Sequence, residues 1–454
     1  MSGLEKLENL FGGVMGFFWA LQDAVSVEDD AAIRGYVKLG ANGLVDLETL
    51  IEDPVESFDR FGEDERDDPK AMYGVTTDGD VLLFNPRLSH ESVVFGLKAS
   101  VRKFQAYSLA RNVDYTNLNS LKVRELEIFF PGVERWVDIK ISDEKWEHHD
   151  DGRLKAFTLQ VSSAPRKSVS LTDGRALGVS AYWSVVGPES RRTVYAPVTV
   201  VCRSERPVEL WDLLSPILRV QDLISLAYDG FVAADGGVVD FDYAKQPPSR
   251  AQFWNHFLMF TQPRVVTPKS LTDRPLFLLE NIGGVEALDR WVRMTNDHIR
   301  LVKPIVNQLR LGFASPELRL MELAAAMEYW CAANRRKPGY EWTAVARERT
   351  PSIAIARHLG EPVAKWIGDG DVWGDLFWRR YNQLKHEPTY IVDEGEIDLL
   401  AKVGFRLLVA EVLRELSGSA AVVSMYLSSA KISNLGWAVK KTFALSEPQN
   451  RTES

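Results

Sequence analysis

Up to about residue 280, apolar positions fall in short alternating or continuous runs separated by turn residues, the pattern of β-strands. Residues 32–39 and 44–47 flank Asn42-Gly43, which predicts a hairpin, and residues 73–77 and 81–84 repeat the arrangement about Asp78-Gly79. Residues 123–130 and 155–161 have the character of half-buried strands. Residues 194–201 give another strand, which Pro197 assigns to an edge or a bulge. The apolar residues 10–19 are too few to cross a bilayer and are predicted as a strand. Asp235-Gly236-Gly237 predicts a turn between two further strands. One helix interrupts, from Pro207 to about Asp229, with Leu210, Leu213, Leu214, Ile217 and Ile224 on its apolar face.

From about residue 285 the period changes to that of helices. Residues 289–312 predict one helix ending near Gly312. Ser315-Pro316-Glu317 is a helix start, with a capping hydroxyl, a proline at the first position and an acid in the first turn. The helix it opens places Leu320, Leu323, Ala324, Met327 and Cys331 on one stripe. Shorter helices are predicted over 351–367 and 371–386. A long one follows to about Leu416, opened by Asp393 with Glu396 three residues on and stopped by Gly418. Its stretch 403–413 is apolar nearly all round, which puts it at the centre of a bundle or in a subunit interface. Strands followed by helices make an α+β chain. A mostly antiparallel β domain is expected over 1–284 and an all-α helical bundle over 285–454.

Composition adds little to this but excludes several classes. The chain has 454 residues, 45% hydrophobic and 26% charged, as an ordinary globular protein does. Its two cysteines, Cys202 and Cys331, lie far apart in apolar sequence and are read as buried thiols, so neither a disulfide framework nor zinc is expected. Two glutamates and no basic leader precede the first apolar run, so no signal peptide is expected, and with no run of transmembrane length the expected location is cytoplasmic. The net charge of −9 is unevenly placed. Residues 1–100 carry roughly 8 basic and 20 acidic side chains, about −12, whereas residues 289–390 carry roughly 16 and 12, about +4. That balance suits a short local contact with RNA and not a long electrostatic groove. His148-His149-Asp150-Asp151 is read as a solvated turn and the acidic run 63–68 as an exposed loop, so no metal is expected.

The candidate chemistry lies in residues 375–388. Pro388 stops a helix there, and Asn382 and His386 share a face one turn apart. Arg379 lies two turns before His386 on nearly the same line, and Arg380 projects about a third of a turn away. An arginine can hold a phosphate through two donors and a histidine exchanges protons near neutral pH. Cations at a helix C-terminus also complement its dipole, a purely structural role. Glu328 is either a partner for one of these arginines or a solvent-facing acid.

This segment resembles the Arg-x(4–6)-His signature of HEPN domains: Arg380 leaves five intervening residues and Arg379 six. Tyr381 stands between Arg380 and Asn382, where many members have Arg-Asn directly, and leaves the choice of arginine open. The wider chain resembles the ApeA family of bacterial anti-phage proteins, a β-rich N-terminal domain followed by a HEPN domain. The resemblance rests on Phe17-Phe18-Trp19 with Ile33-Arg34-Gly35, on residues 73–77 and 128–136, and on 198–201 followed by 207–214 and 219–226. In the helical part it rests on Met327-Glu328, the Arg/His helix and the long apolar helix. It implies a metal-independent endoribonuclease of abortive defence, needing no cofactor, with HEPN domains paired in a homodimer or higher oligomer. The implied site is His386 as proton-transfer group, Arg380 or Arg379 on the phosphate, and Asn382 orienting. The implied partners are RNA, such as tRNA or another host RNA, and a phage-derived trigger on the N-terminal domain, with no membrane. The alternative is a catalytically silent HEPN module that binds RNA or protein.

Overall fold

The computed structural model describes residues 12–22, 32–52, 68–94, 99–140, 142–162 and 166–445, except 182, 189–191, 196, 246–249, 262–264, 266, 269–270, 272–273, 313 and 392. An antiparallel β region precedes an all-helical one, as the change of period predicts. The chain forms two compact units. The first takes Met1–Pro131, Lys140–Gln221 and Ala233–Thr261, and the second takes Gly132–Ile139, Asp222–Val232 and Gln262–Ser454.

The strands of the first unit are, in its first half, β1 (Val14–Leu21), β2 (Ile33–Leu39), β3 (Val45–Glu52), β4 (Ala71–Thr76), β5 (Gly79–Phe84), β6 (Arg87–Val94), β7 (Ala99–Ala106), β8 (Ser108–Arg111) and β9 (Leu118–Phe129). Then come β10 (Ser142–His148), β11 (Leu154–Val161), β12 (Lys167–Ser170), β13 (Ala176–Ala181), β14 (Ser184–Val186), β15 (Thr193–Tyr195), β16 (Val198–Val208), β17 (Gly236–Tyr243) and β18 (Ala251–Asn255). Fourteen join in one sheet, in the order β12-β13-β16-β9-β17-β18-β8-β5-β4-β1-β2-β3-β7-β6, while β10–β11 and β14–β15 are separate pairs. Both predicted hairpins form, β2 with β3 and β4 with β5. The ring of Phe18, fully buried, fills space that side chains at two glycines would occupy. A Cβ at Gly74 would lie 2.4 Å from that ring and one at Gly35 2.9 Å from it.

Two strand expectations change. Pro197 sits between β15 and β16 and interrupts neither, so β16 runs through the sheet interior between β13 and β9 with Val200 and Cys202 fully buried. Gly236 and Gly237 make no turn between strands; they open β17, where a Cβ on Gly237 would come 2.5 Å from Ile128. His148 ends β10, paired with Leu154, and His149 leads into the exposed turn that follows; among the described residues no group of three acids, histidines or cysteines is placed to hold a metal. Most of the acidic run 63–68 lies outside the described residues.

The main helices are α1 (Leu210–Tyr228), α2 (Glu286–Asp297), α3 (Ile299–Arg310), α4 (Pro316–Asn334), α5 (Pro351–Leu359), α6 (Glu361–Ile367), α7 (Gly370–His386), α8 (Glu394–Ser417), α9 (Ala420–Leu427) and α10 (Ala430–Phe443). α1 begins in the first unit and ends in the second. The single helix expected over 289–312 is split at His298 (φ −125°, ψ 44°), whose ring is drawn onto α4: Nδ1 lies 3.1 Å from the Tyr329 hydroxyl. The one expected over 351–367 is split at Gly360, in a backbone conformation (φ 70°, ψ −137°) open to glycine. Capping follows the sequence more closely. Ser315 accepts from the Leu318 amide, Asp393 accepts from the Glu396 amide, and Gly418 closes α8 in the left-handed region.

α8 is the centre of the helical unit. Its apolar circumference is covered within the chain, with Leu400, Val403, Leu407, Leu408 and Val409 fully buried, so its composition does not itself call for a second subunit. Gly404 marks where α8 meets α7 and α4: a Cβ there would lie 2.9 Å from Phe377 and 3.4 Å from Met327. Arg406 of α8 makes a two-pronged ion pair with Asp229 just past α1, at 2.7 and 2.8 Å. Among the described residues no helix is long and apolar enough to cross a membrane.

Candidate active site

α7 is built to present one side and bury the other. Asp369 caps it by accepting from the amides of Asp371 and Val372, and Glu387, extended before Pro388, ends it. Its inner side carries Trp373, Gly374, Phe377 and Tyr381, all buried. Gly374 lets α5 approach closely, since a Cβ would meet Ile353 at 2.7 Å, and the Ser352 hydroxyl donates to the Gly374 carbonyl at 2.8 Å. Arg357 of α5 and Asp371 of α7 pair across the same crossing.

The outer side carries Asp375, Arg379, Asn382 and His386, all exposed. At about 100° per residue Arg379 and His386 differ by roughly 20° around the axis and about 10 Å along it, with Asn382 between. Among the described residues these three side chains have no hydrogen-bond or ion-pair partner. Three of the four residues singled out from sequence are therefore brought together on one open stripe at the basic end of a helix.

Arg380 is placed differently. Its Nε and Nη2 donate to the two carboxylate oxygens of Glu396 on the first turn of α8, at 2.8 and 3.1 Å, and its Nη1 donates to Gln383 at 2.7 Å. The pair is largely sheltered, with side chains 22% and 16% exposed, and the guanidinium also lies over the Tyr390 ring. The carboxylate raises the arginine's pKa still further. Glu328 is exposed and makes no contact with an arginine of α7; the pKa of Lys385 is raised chiefly by the Tyr381 hydroxyl, 3.2 Å away, and only least by the charge of Glu328.

Glu396 is the site residue that sequence reasoning does not assign. At the third position after Asp393 it has the place of a capping-box acid, but its carboxylate reaches across to Arg380. A glutamate at that position beside an arginine helix is the only available signal, and it names no partner.

An antiparallel sheet unit and a helical unit with an open Arg/Asn/His stripe define a two-part chain with a candidate anion-handling site in its second part. The ApeA N-terminal domain 1 family matches residues 14–291, more than half of the chain, and the chain belongs to that family. The match ends before α7, so it does not reach the candidate site. No curated protein and no solved structure matches the chain.

Proposed function

We propose that the chain is a metal-independent endoribonuclease of the HEPN type that acts in anti-phage defence. Membership of the ApeA N-terminal family supports the defence role. The observation that carries the chemistry is the exposed line Arg379–Asn382–His386 at the end of α7, whose side chains are unengaged among the described residues.

In this reading His386 takes the proton of the RNA 2′-hydroxyl as its oxygen attacks phosphorus. The bond from phosphorus to the 5′-oxygen breaks, and a second imidazole, His386 of another copy of the chain, protonates that oxygen. The products are a 2′,3′-cyclic phosphate and a 5′-hydroxyl, and both protons are accounted for. A guanidinium stabilises charge gathering on the phosphoryl oxygens. Sequence spacing favours Arg380 for this; the geometry favours Arg379, because Arg380 already commits three donors to Glu396 and Gln383 while Arg379 shares the histidine's stripe. Arg380 then serves as a positioning residue that ties α7 to the start of α8. The site is taken to lie in a helical domain over 285–454 and to work as a homodimer, since one chain offers one histidine where two proton transfers are needed.

The full chain should cleave RNA with EDTA present, and His386→Ala should reduce cleavage at least a hundredfold, within the range of a lost general acid–base group, while thermal unfolding shifts by no more than about 1 kcal/mol. Cleavage undiminished in His386→Ala, or dependent on added magnesium, would overturn the reading.

A further inference from the structure

The first unit contains a cleft of about 300 Å³ where the ends of β4, β5, β8 and β18 meet the start of α1. This is the size of the smaller small-molecule sites, roughly 300–1,000 Å³, and it admits one compact ligand. Three cations line it, Lys70, Arg87 and Lys122, against one acid, Glu209. That excess is local and stands against the acidic surplus of the first hundred residues. Arg87 and Lys122 are exposed, and among the described residues neither side chain forms an ion pair.

The rim is aromatic. Trp211, on the first turn of α1, is 57% exposed, and Tyr107 and Phe257 are 43% and 39% exposed. The last two are stacked, with centroids 5.0 Å apart and planes 9° from parallel, so they present a flat face. The floor is polar and rigid. Asn255, fully buried, donates from Nδ2 to the Ser108 hydroxyl at 2.9 Å and accepts from the Leu258 amide at 3.1 Å. Asn85, also lining the cleft, holds a left-handed backbone (φ 45°), which asparagine tolerates.

Aromatic faces recognise a planar base, paired cations recognise a phosphate, and a lone carboxylate accepts from sugar hydroxyls. Purely anionic ligands would leave the exposed aromatics and Glu209 without a role, and purely apolar ones would leave the cations without one. We propose that this cleft binds a nucleoside phosphate, with the base against Trp211 or the Tyr107–Phe257 face and the phosphate between Arg87 and Lys122. The volume favours a single nucleotide, whether free or at the end of a strand. The cleft would thus be the ligand site of the unit expected to sense a trigger, and its test does not depend on the nuclease reading.

The test is equilibrium binding to the full chain, read by quenching of tryptophan fluorescence and by calorimetry. The probes are the four ribonucleoside monophosphates, the four triphosphates, adenosine, inorganic phosphate and a 5′-phosphorylated RNA tetramer. At least one nucleotide should bind ten or more times tighter than adenosine and inorganic phosphate. Trp211→Ala and Arg87→Glu/Lys122→Glu, changes at exposed positions, should each weaken it about tenfold or more without shifting thermal unfolding. A tetramer that competes as well as the mononucleotide identifies a strand end as the source; a tetramer that does not identifies a free nucleotide. Failure of every nucleotide to bind, or binding unaffected by both variants, would overturn the proposal.

Discussion

Glu396 separates the two arginines of α7 chemically. By gripping Arg380 through both oxygens it makes that side chain part of the helix–helix joint, and it leaves Arg379 as the cation open to a phosphate. Arg379→Ala should lower RNA cleavage more than tenfold with little change in stability. Arg380→Ala, which leaves a sheltered carboxylate unpaired, should cost about 2 kcal/mol in urea unfolding, less than a fully buried pair would. Loss of cleavage in Arg380→Ala at unchanged stability would reverse the assignment. A fully buried acid elsewhere bears on stability. Glu411 accepts from the Trp330 indole at 3.0 Å, its other oxygen sits 3.8 Å from His358, and burial pushes its carboxyl up to about 7. Burial and then Arg414 pull His358 down to about 4, so near pH 6 both groups are neutral. A carboxyl that holds its proton more tightly when folded stabilises fully below about pH 4.5 and loses that contribution as pH rises towards 7. The histidine has the opposite slope between about 4 and 6.5, being destabilised as pH falls, and so masks the effect in the parent chain. Compared with the parent, Glu411→Gln should therefore gain stability between pH 5 and pH 8, on the order of 3 kcal/mol, in urea unfolding at the two pH values. A difference independent of pH would show that the carboxyl is not burial-shifted.

At the scale of elements, the position of the candidate site depends on small residues as well as on polar ones. Gly404 lets α7, α4 and α8 approach, and Phe377 and Met327 occupy the space a side chain there would need. Gly404→Val should cost about 1–3 kcal/mol by overpacking and should lower RNA cleavage with it, because the buried Phe377 ring of α7 has to give way. Full activity in a folded Gly404→Val chain would mean that the site tolerates a displaced Phe377 ring. Such joints are poorly legible in sequence. Helix ends are legible, because the signals at Ser315, Asp393, Gly418 and Pro388 act on their own backbone. So are the two hairpins and the stripe of Arg379, Asn382 and His386, since both follow from local period. The split at His298 depends on Tyr329, thirty-one residues away, and the grip on Arg380 depends on a choice Glu396 makes between its own cap and another helix. The placing of β16 inside the sheet likewise depends on β9 and β13, which no local pattern names.

At the scale of the whole molecule, the helical unit is not a contiguous stretch of chain. It takes Gly132–Ile139 and Asp222–Val232 from within the β-rich half, and these carry structural groups: Tyr228 donates to the Gly132 carbonyl at 2.7 Å, and Asp229 pairs with Arg406. Asp229→Ala should cost roughly 2–3 kcal/mol in chemical unfolding, below the 3–5 of a fully buried pair because Asp229 stays 27% exposed. An unchanged midpoint would show that Arg406 finds another partner. If the chain is the ribonuclease proposed above, it needs restraint until infection, and we propose that the N-terminal part supplies it. The chain passes from one unit to the other at residues 131–132, 139–140, 221–222, 232–233 and 261–262. A cut at 261–262 therefore keeps all of the first unit in one fragment but divides the second, and a gene broken near codon 285 encodes a helical fragment without Asp229. Threaded this way, the second unit cannot be inherited whole without a large part of the first: that dependence is written into the path of the backbone.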